Sequence, residues 1–316
     1  MTDILKTIKE ELPNVIADAI FEGANIVLYT SNKEFFKDGE EEIKKVVSKI
    51  KKRVELRAER SILASEDETD KTIRALVQQE AEIVNIIFDV QRSTVIIEAK
   101  KPGLVIGKQG SILSDIRKST FWTPTVQRSP VIPSKITEKI RSVLYANNNY
   151  RRKFLHEIGK KIYDDWNPEK KDIWARLTFL GSGRQVGRSC LLLHTPNSKV
   201  LLDCGINPAI TEGPEKFPYL DVSEIGDLNT INAVVLSHAH LDHSGLCPFL
   251  FKMGYRGPIY MTAPTRDVSA LLQLDLIGVA YKKAEFPIYK AEDIKEMVRH
   301  SICLEYGEVT DITPDI

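Results

Sequence analysis

The chain has 316 residues, of which 42% are hydrophobic and 28% charged, and its 44 basic side chains balance 44 acidic ones. That length predicts about two domains with a packed core, and zero net charge excludes a protein that coats nucleic acid by charge alone. The longest apolar runs fall far short of the ~20 residues that cross a bilayer, and residues 1–12 form a charged amphipathic stretch rather than a signal peptide, so a soluble, cytoplasmic protein without membrane contact is expected.

Ile4, Leu5, Ile8 and Leu12 recur at helical spacing, and Pro13 stops the run. Residues 15–21 and 25–30 read as strands joined by Glu22-Gly23-Ala24. Ile43, Val46, Val47 and Ile50 stripe a second helix, and residues 54–56 close the segment as a strand. Residues 67–134 repeat this order, which makes the two segments a tandem. A helix after Asp70 runs through Ile73, Leu76 and Val77, strands cover 83–90 and 94–99, a helix carries Ile112, Leu113 and Ile116, and a strand covers 123–128.

Between two helical pieces of the second segment lies Gly107-Lys108-Gln109-Gly110. Two glycines let the backbone approach sugar and phosphate closely, the following helix offers unpaired amides, and Lys108 adds a cation. This stretch resembles the Gly-x-x-Gly loop of a KH domain, which implies a clamp on about four nucleotides of single strand. The first segment has only Gly39 at the equivalent place, followed by Glu40, Glu41 and Glu42. It is therefore expected to be KH-like without the clamp, with packing or protein contact as its task.

Residues 135–172 read as two basic helices, with Ile140, Val143 and Leu144 striping one and Phe154, Leu155, Ile158 and Ile162 the other. From 135 to 171 ten Lys or Arg face five Asp or Glu, a composition that suits either a solvated linker or a phosphate track. After Trp174 short strands follow at 175–180, 190–194 and 200–203. Gly181, Gly183 and Gly187 do not make a dinucleotide fingerprint, because the third glycine is one residue late and a strand follows. Helices are expected over 246–253, 264–281 and 291–300, with strands at 259–262 and 303–306. Cys190, Cys204, Cys247 and Cys303 form no Cys-x-x-Cys pair and read as reduced thiols.

Three of the six histidines fall in His238-Ala239-His240-Leu241-Asp242-His243, directly after the apolar run 233–236. Imidazole and carboxylate are the donors that suit a borderline divalent ion such as zinc. Residues at i and i+2 of an extended backbone point the same way, so His238 and His240 can close on one ion while Asp242 and His243 reach a second. His194 and His300 sit in no such setting.

His-x-His-x-Asp-His resembles the second motif of the metallo-β-lactamase superfamily, and Asp203 with its following glycine-containing turn matches the first, where the carboxylate holds metal ligands in place. Two KH-like segments, the run from Thr178 to Ser189, Val200-Leu201-Leu202-Asp203-Cys204-Gly205 and Ser237-His238 to Gly245 together resemble the archaeal relatives of the cleavage and polyadenylation specificity factor nuclease, ribonucleases of the β-CASP type.

That resemblance implies an α+β chain: a KH-like domain without Gly-x-x-Gly over 1–66, a KH domain over 67–134, a basic helical linker over 135–172, and the N-terminal part of a metallo-β-lactamase αββα sandwich over 173–316. It implies endonucleolytic, and often 5′-to-3′ exonucleolytic, cleavage of single-stranded RNA in 3′-end formation and transcription termination, by hydroxide activated at two zinc ions. His238, His240, Asp242 and His243 would be metal ligands, Asp242 also a proton acceptor, and Asp203 a supporting group. RNA polymerase with its elongation factors and a second copy of the full-length protein are the implied partners. Family enzymes complete the site with further ligands C-terminal to the matched region. The 316-residue chain is therefore expected to be truncated, inactive alone, and to leave one face of its sheet uncovered. The alternative reading is an RNA-binding module without catalysis.

Overall fold

Helix α1 (Asp3–Glu11) opens the computed structural model of the chain, which describes residues 3–130, 134–146, 148–163 and 174–316. The chain divides into an N-terminal body, Met1–Ser134 with Asn148–Lys160, and a C-terminal body, Lys135–Asn147 with Lys161–Ile316. The architecture is α+β in both.

In the N-terminal body α1 is followed by β1 (Asp18–Glu22), β2 (Asn25–Thr30), α2 (Lys33–Asp38), α3 (Glu40–Ile50) and β3 (Val54–Ala58). The second repeat has the same succession: α4 (Glu66–Leu76), β4 (Ile83–Asp89), β5 (Thr94–Ala99), α5 (Pro102–Ile106), α6 (Ser111–Thr120) and β6 (Thr123–Arg128). Each repeat builds a three-stranded sheet in which the first two strands pair antiparallel and the second and third pair parallel. The first hairpin turns at Gly23 and aligns Ile20 with Val27 and Phe21 with Ile26, so its apolar side chains reach the core together. Helix α4 begins before Asp70, because Ser65 and Glu68 form a reciprocal capping box; Asp70 instead pairs with Arg74 one turn on.

An ion cluster ties the repeats together. The buried Glu22 carboxylate accepts bonds from both ends of the Arg57 guanidinium at 2.8 and 3.0 Å and from Arg92 of the second repeat at 2.9 and 2.5 Å. Burial alone would raise the Glu22 carboxyl, but the Arg92 and Arg57 guanidiniums outweigh it and hold it at about 2. Beside it Arg117 of α6 donates to the Leu56 carbonyl at 3.0 Å and lies over the Phe36 ring at 4.2 Å.

The described residues between 135 and 163 are divided between the two bodies. Helix α7 (Lys135–Tyr145) belongs to the C-terminal body, where Arg141 pairs with Asp267 at 2.9 Å and Ile140 enters the core. Helix α8 (Asn148–Ile162) crosses the edge of β1, where Gly23 N–H donates to the Leu155 carbonyl at 3.0 Å. Helix α7 falls in the C-terminal body and α8 as far as Lys160 in the N-terminal one, which splits the basic stretch between the bodies. Residues 164–172 of the expected linker lie outside the described residues.

The C-terminal body adds β7 (Arg176–Phe179), β8 (Leu191–His194), β9 (Lys199–Leu202), β10 (Ala233–Val235), α9 (Leu241–Ser244), α10 (Cys247–Lys252), β11 (Ile259–Met261), α11 (Ala263–Lys282), α12 (Ala291–Arg299) and β12 (Ser301–Cys303). The six strands form one mixed sheet in the order β12-β11-β10-β9-β8-β7, parallel from β9 to β12 and antiparallel from β7 to β9. Leu201, Val234 and Ile259 pack on one face with the helices. On the other face Val200, Ala233 and Tyr260 are buried with Leu202, Val235, Ile312 and Ile316 against them, so that part of the sheet is covered, while Leu177 and Phe179 of β7 are exposed. The last strand begins at Ser301 rather than 303. His300 N–H closes α12 on Glu296 and Met297, and the residues that follow pair at once with β11.

Candidate functional site

Parallel pairing of β9 with β10 sets Leu202 opposite Val235, so the residues that follow, Asp203 on one strand and Ser237-His238 on the other, emerge side by side at the carboxyl ends of the strands. Open sheets of parallel strands place their ligand sites at that end. Asp203 sits at φ +60, a left-handed conformation that aspartate tolerates better than most residues, and its N–H is held by the Val235 carbonyl at 2.9 Å. The turn leaves no room to spare. A Cβ on Gly205 would meet the Asp242 carbonyl oxygen at 1.8 Å, and main-chain bonds from Cys204 to His243 and from Ser189 to Asp242 bind this loop to α9.

The nearly buried Asp203 carboxylate collects donors. Oδ1 accepts Ser237 N–H at 2.8 Å, and Oδ2 accepts the Ser237 hydroxyl at 2.9 Å and His243 Nδ1–H at 2.7 Å, with Ser189 Oγ at 3.4 Å. A ligand histidine commonly donates its second ring nitrogen to a carboxylate in this way, which fixes tautomer and ring orientation. With its proton committed to Asp203, Ser237 Oγ is the acceptor for His238 Nδ1–H at 3.0 Å. In that tautomer Nε2 is the ring nitrogen without a proton, facing His240 in His238 and Asp242 in His243. The His238 and His243 rings lie 4.0 Å apart, and His238 and His240 4.9 Å apart.

Two donor pairs result. His238 Nε2 and His240 Nδ1 are 3.2 Å apart, and His243 Nε2 and Asp242 Oδ2 are 3.5 Å apart. A tetrahedral zinc ion with ligands at about 2.0–2.1 Å separates neighbouring donors by roughly 3.3 Å, so each pair has the spacing of one edge of a zinc site. Among the described residues no group of three or more His, Cys, Asp or Glu is arranged to hold a metal ion. The sulfurs nearest the site do not extend the donor set. The Cys190 hydrogen bond and burial push the Cys204 thiol up, and burial does the same for Cys247, so both stay protonated in the core.

Sequence reasoning missed Ser237 and Ser189. The only signal for Ser237 was its place one residue before His238, and for Ser189 its place at the end of a glycine-rich loop. His300 is fully buried, its Nδ1 at 2.8 Å from the Glu296 carbonyl, and burial lowers its pKa. His194 packs edge-on against Trp174 at 5.1 Å.

The N-terminal body carries the second candidate. Between α5 and α6, Gly107 (φ +76), Gln109 (φ +51) and Gly110 (φ +78) all adopt the left-handed region, and Lys108 and Gln109 are exposed. The turn cannot be made by ordinary residues at both glycine positions: a Cβ at Gly107 would also strike Ile112 at 2.8 Å. In the first repeat Gly39 has φ −76 and passes the chain from α2 into α3 with no intervening loop, and Glu40 pairs with Lys44 at 3.3 Å.

A sequence profile for the KH domain of transcription termination factor FttA matches residues 1–63, and one for the metallo-beta-lactamase superfamily domain matches residues 192–315. The chain is similar over 100% of its length to transcription termination factor FttA of Methanothermobacter thermautotrophicus, at 46% identity, covering 50% of that protein. The same factor of Thermococcus kodakarensis is 44% identical over 99% of the chain and 50% of its own length, and that of a Lokiarchaeum is 40% identical over 99% and 49%. The chain thus spans about half the length of the curated relatives it matches.

Proposed function

Since the chain belongs to the family of the archaeal transcription termination factor FttA, we propose that it takes part in transcription termination by binding the transcript through its KH-like repeats and contributing zinc ligands to a ribonuclease centre. The observation that carries this reading is the pair of zinc-length donor edges braced by Asp203. His238 and His240 would hold one ion, and Asp242 and His243 the other. Bound there, zinc supplies a Lewis acid that lowers the pKa of water toward neutrality and polarises a phosphoryl oxygen. Asp203 is a positioning residue that keeps His243 Nε2 facing its partner, Ser237 does the same for His238, and Asp242 accepts the proton that attacking water gives up. Residues 1–66 serve as a KH-like packing unit, 67–134 as the KH domain that holds single-stranded RNA through Gly107, Lys108, Gln109 and Gly110, and 173–316 as the metallo-β-lactamase part. Endonucleolytic and 5′-to-3′ exonucleolytic action, contact with RNA polymerase and its elongation factors, pairing with a second copy and a cytoplasmic location belong to the same proposal. No helix among the described residues is long and apolar enough to cross a membrane.

Zinc uptake by the purified protein, measured by mass spectrometry after dialysis, and incubation with end-labelled single-stranded RNA test it. Two donors per ion predict weak uptake, reduced further in His238→Ala, and about 10- to 100-fold weaker in Asp203→Asn. Cleavage that vanishes in His238→Ala supports the nuclease reading, and absence of zinc uptake would sink it. The lack of a three-donor group favours a second reading, an RNA-binding module without catalysis. Zinc-independent RNA binding with intact RNA is its signature.

A further inference from the structure

Helix α8 does more than cover an edge strand. Phe21 N–H donates to His156 Nδ1 at 3.1 Å, and the two rings stack at 5.8 Å with 27° between their planes. A ring nitrogen that accepts carries no proton, so the neutral imidazole bears its hydrogen on Nε2, as a donor directed away from the strand. Asn149, Arg152, Lys153 and His156 follow at spacings of three, four and seven residues, which is one face of a helix. With Ile20 of β1 they line a pocket of about 360 Å³.

Each polar side chain of that lining offers hydrogen-bond donors, and none is a carboxylate. The carboxylates nearby are engaged: Glu157 pairs with Lys160 at 2.8 Å and Asp18 with Lys9 at 3.9 Å. Arg152 lies 5.7 Å from the Tyr29 ring, and neither Arg152 nor Lys153 has a carboxylate partner among the described residues. Adjacent cations repel, and an anion between them removes that cost. Guanidinium and ammonium side by side with an amide and an imidazole N–H make the donor set that suits a phosphate, the guanidinium by its planar fork.

We infer that this pocket is a phosphate site for the backbone of single-stranded RNA, distinct from the Gly107–Gly110 loop and belonging to the repeat that lacks one. The first repeat thereby contacts RNA through a helix appended to its edge rather than through its own paired helices. The inference rests on the RNA-binding reading above.

The test compares Arg152→Gln/Lys153→Gln with Lys108→Asp/Gln109→Asp and with a surface control of equal charge change, Lys45→Gln/Lys71→Gln. Binding of fluorescein-labelled single-stranded RNA of mixed sequence is read by anisotropy across a salt series, with circular dichroism to verify folding. The α8 variant should bind about tenfold more weakly, and the slope of log affinity against log salt should fall by about 1.4, the equivalent of two phosphates on a single strand. The control should change neither by a comparable amount. Unchanged affinity and slope in the α8 variant, while the loop variant still weakens, overturns the site and leaves the RNA-binding reading standing. An effect equal to the control's also overturns it. Wild-type protein that binds no RNA overturns both.

Discussion

The two repeats of the N-terminal body share one order of elements and one sheet topology, and they part at a single junction. In the second, Gly107, Gln109 and Gly110 take positive φ and open a loop with the exposed Lys108 at its tip. In the first, Gly39 stays at φ −76 and the helices run on without a gap, led by three glutamates. The same scaffold thus carries an exposed lysine and glutamine at this junction in one copy and a run of carboxylates in the other. The two copies keep one sheet topology and differ where the helices meet.

The largest effect should come from the contact that joins the copies. Glu22→Gln leaves two guanidiniums facing each other in a buried cluster and should cost about 3–5 kcal/mol, read as a fall in the urea midpoint. If the repeats are one cooperative unit the transition stays single; a second transition would separate them. The pH dependence has a definite sign. The folded Glu22 carboxyl, near 2, lies below its ordinary 4.5, so the stability it contributes is present above about 4.5 and drains away as pH falls toward 2. Glu22→Gln should flatten that acid limb.

Of middle size is the loop itself. Lys108→Asp/Gln109→Asp should cost about 2 kcal/mol of RNA affinity, roughly thirtyfold, and flatten the salt dependence. Glu41→Lys/Glu42→Lys in the first repeat adds charge without adding a loop and should shift affinity by no more than about threefold. Equal responses would erase the distinction between the repeats.

The smallest effects contrast the glycines. Gly110→Ala meets nothing within 4 Å but must adopt φ +78, while Gly39→Ala keeps an ordinary φ and drives its Cβ to 2.6 Å from the Phe35 carbonyl. Each should cost about 1 kcal/mol in thermal unfolding, yet only Gly110→Ala should weaken RNA binding.

Periodicity made the tandem legible because its helices and strands each bury one face, and β2, β5 and β6 fall where the alternation places them. Boundaries failed where a local bond outvoted the pattern. Ser65 and Glu68 start α4 before Asp70, and His300 caps α12 so that β12 begins at Ser301. The basic stretch after residue 134 read as one linker because charge shows on the outside of a helix, whereas the partner of its apolar stripe is a matter of tertiary packing. At the site, the donors were visible as a motif, and Asp203 as a strand-end carboxylate. The bracing by Ser237 was not, since it depends on β9 and β10 being neighbours across 34 residues of chain.

The bonds from Phe21 and Gly23 to α8 span more than 130 residues of sequence, and the intervening helix α7 belongs to the other body. On the ribosome, both repeats are therefore synthesised before the edge of β1 can be covered. A nascent chain paused near residue 134 carries an unpaired strand edge open to its neighbours. Excising the N-terminal body after Ser134 recreates that state permanently, and the resulting piece should self-associate where the full 316-residue chain stays dispersed.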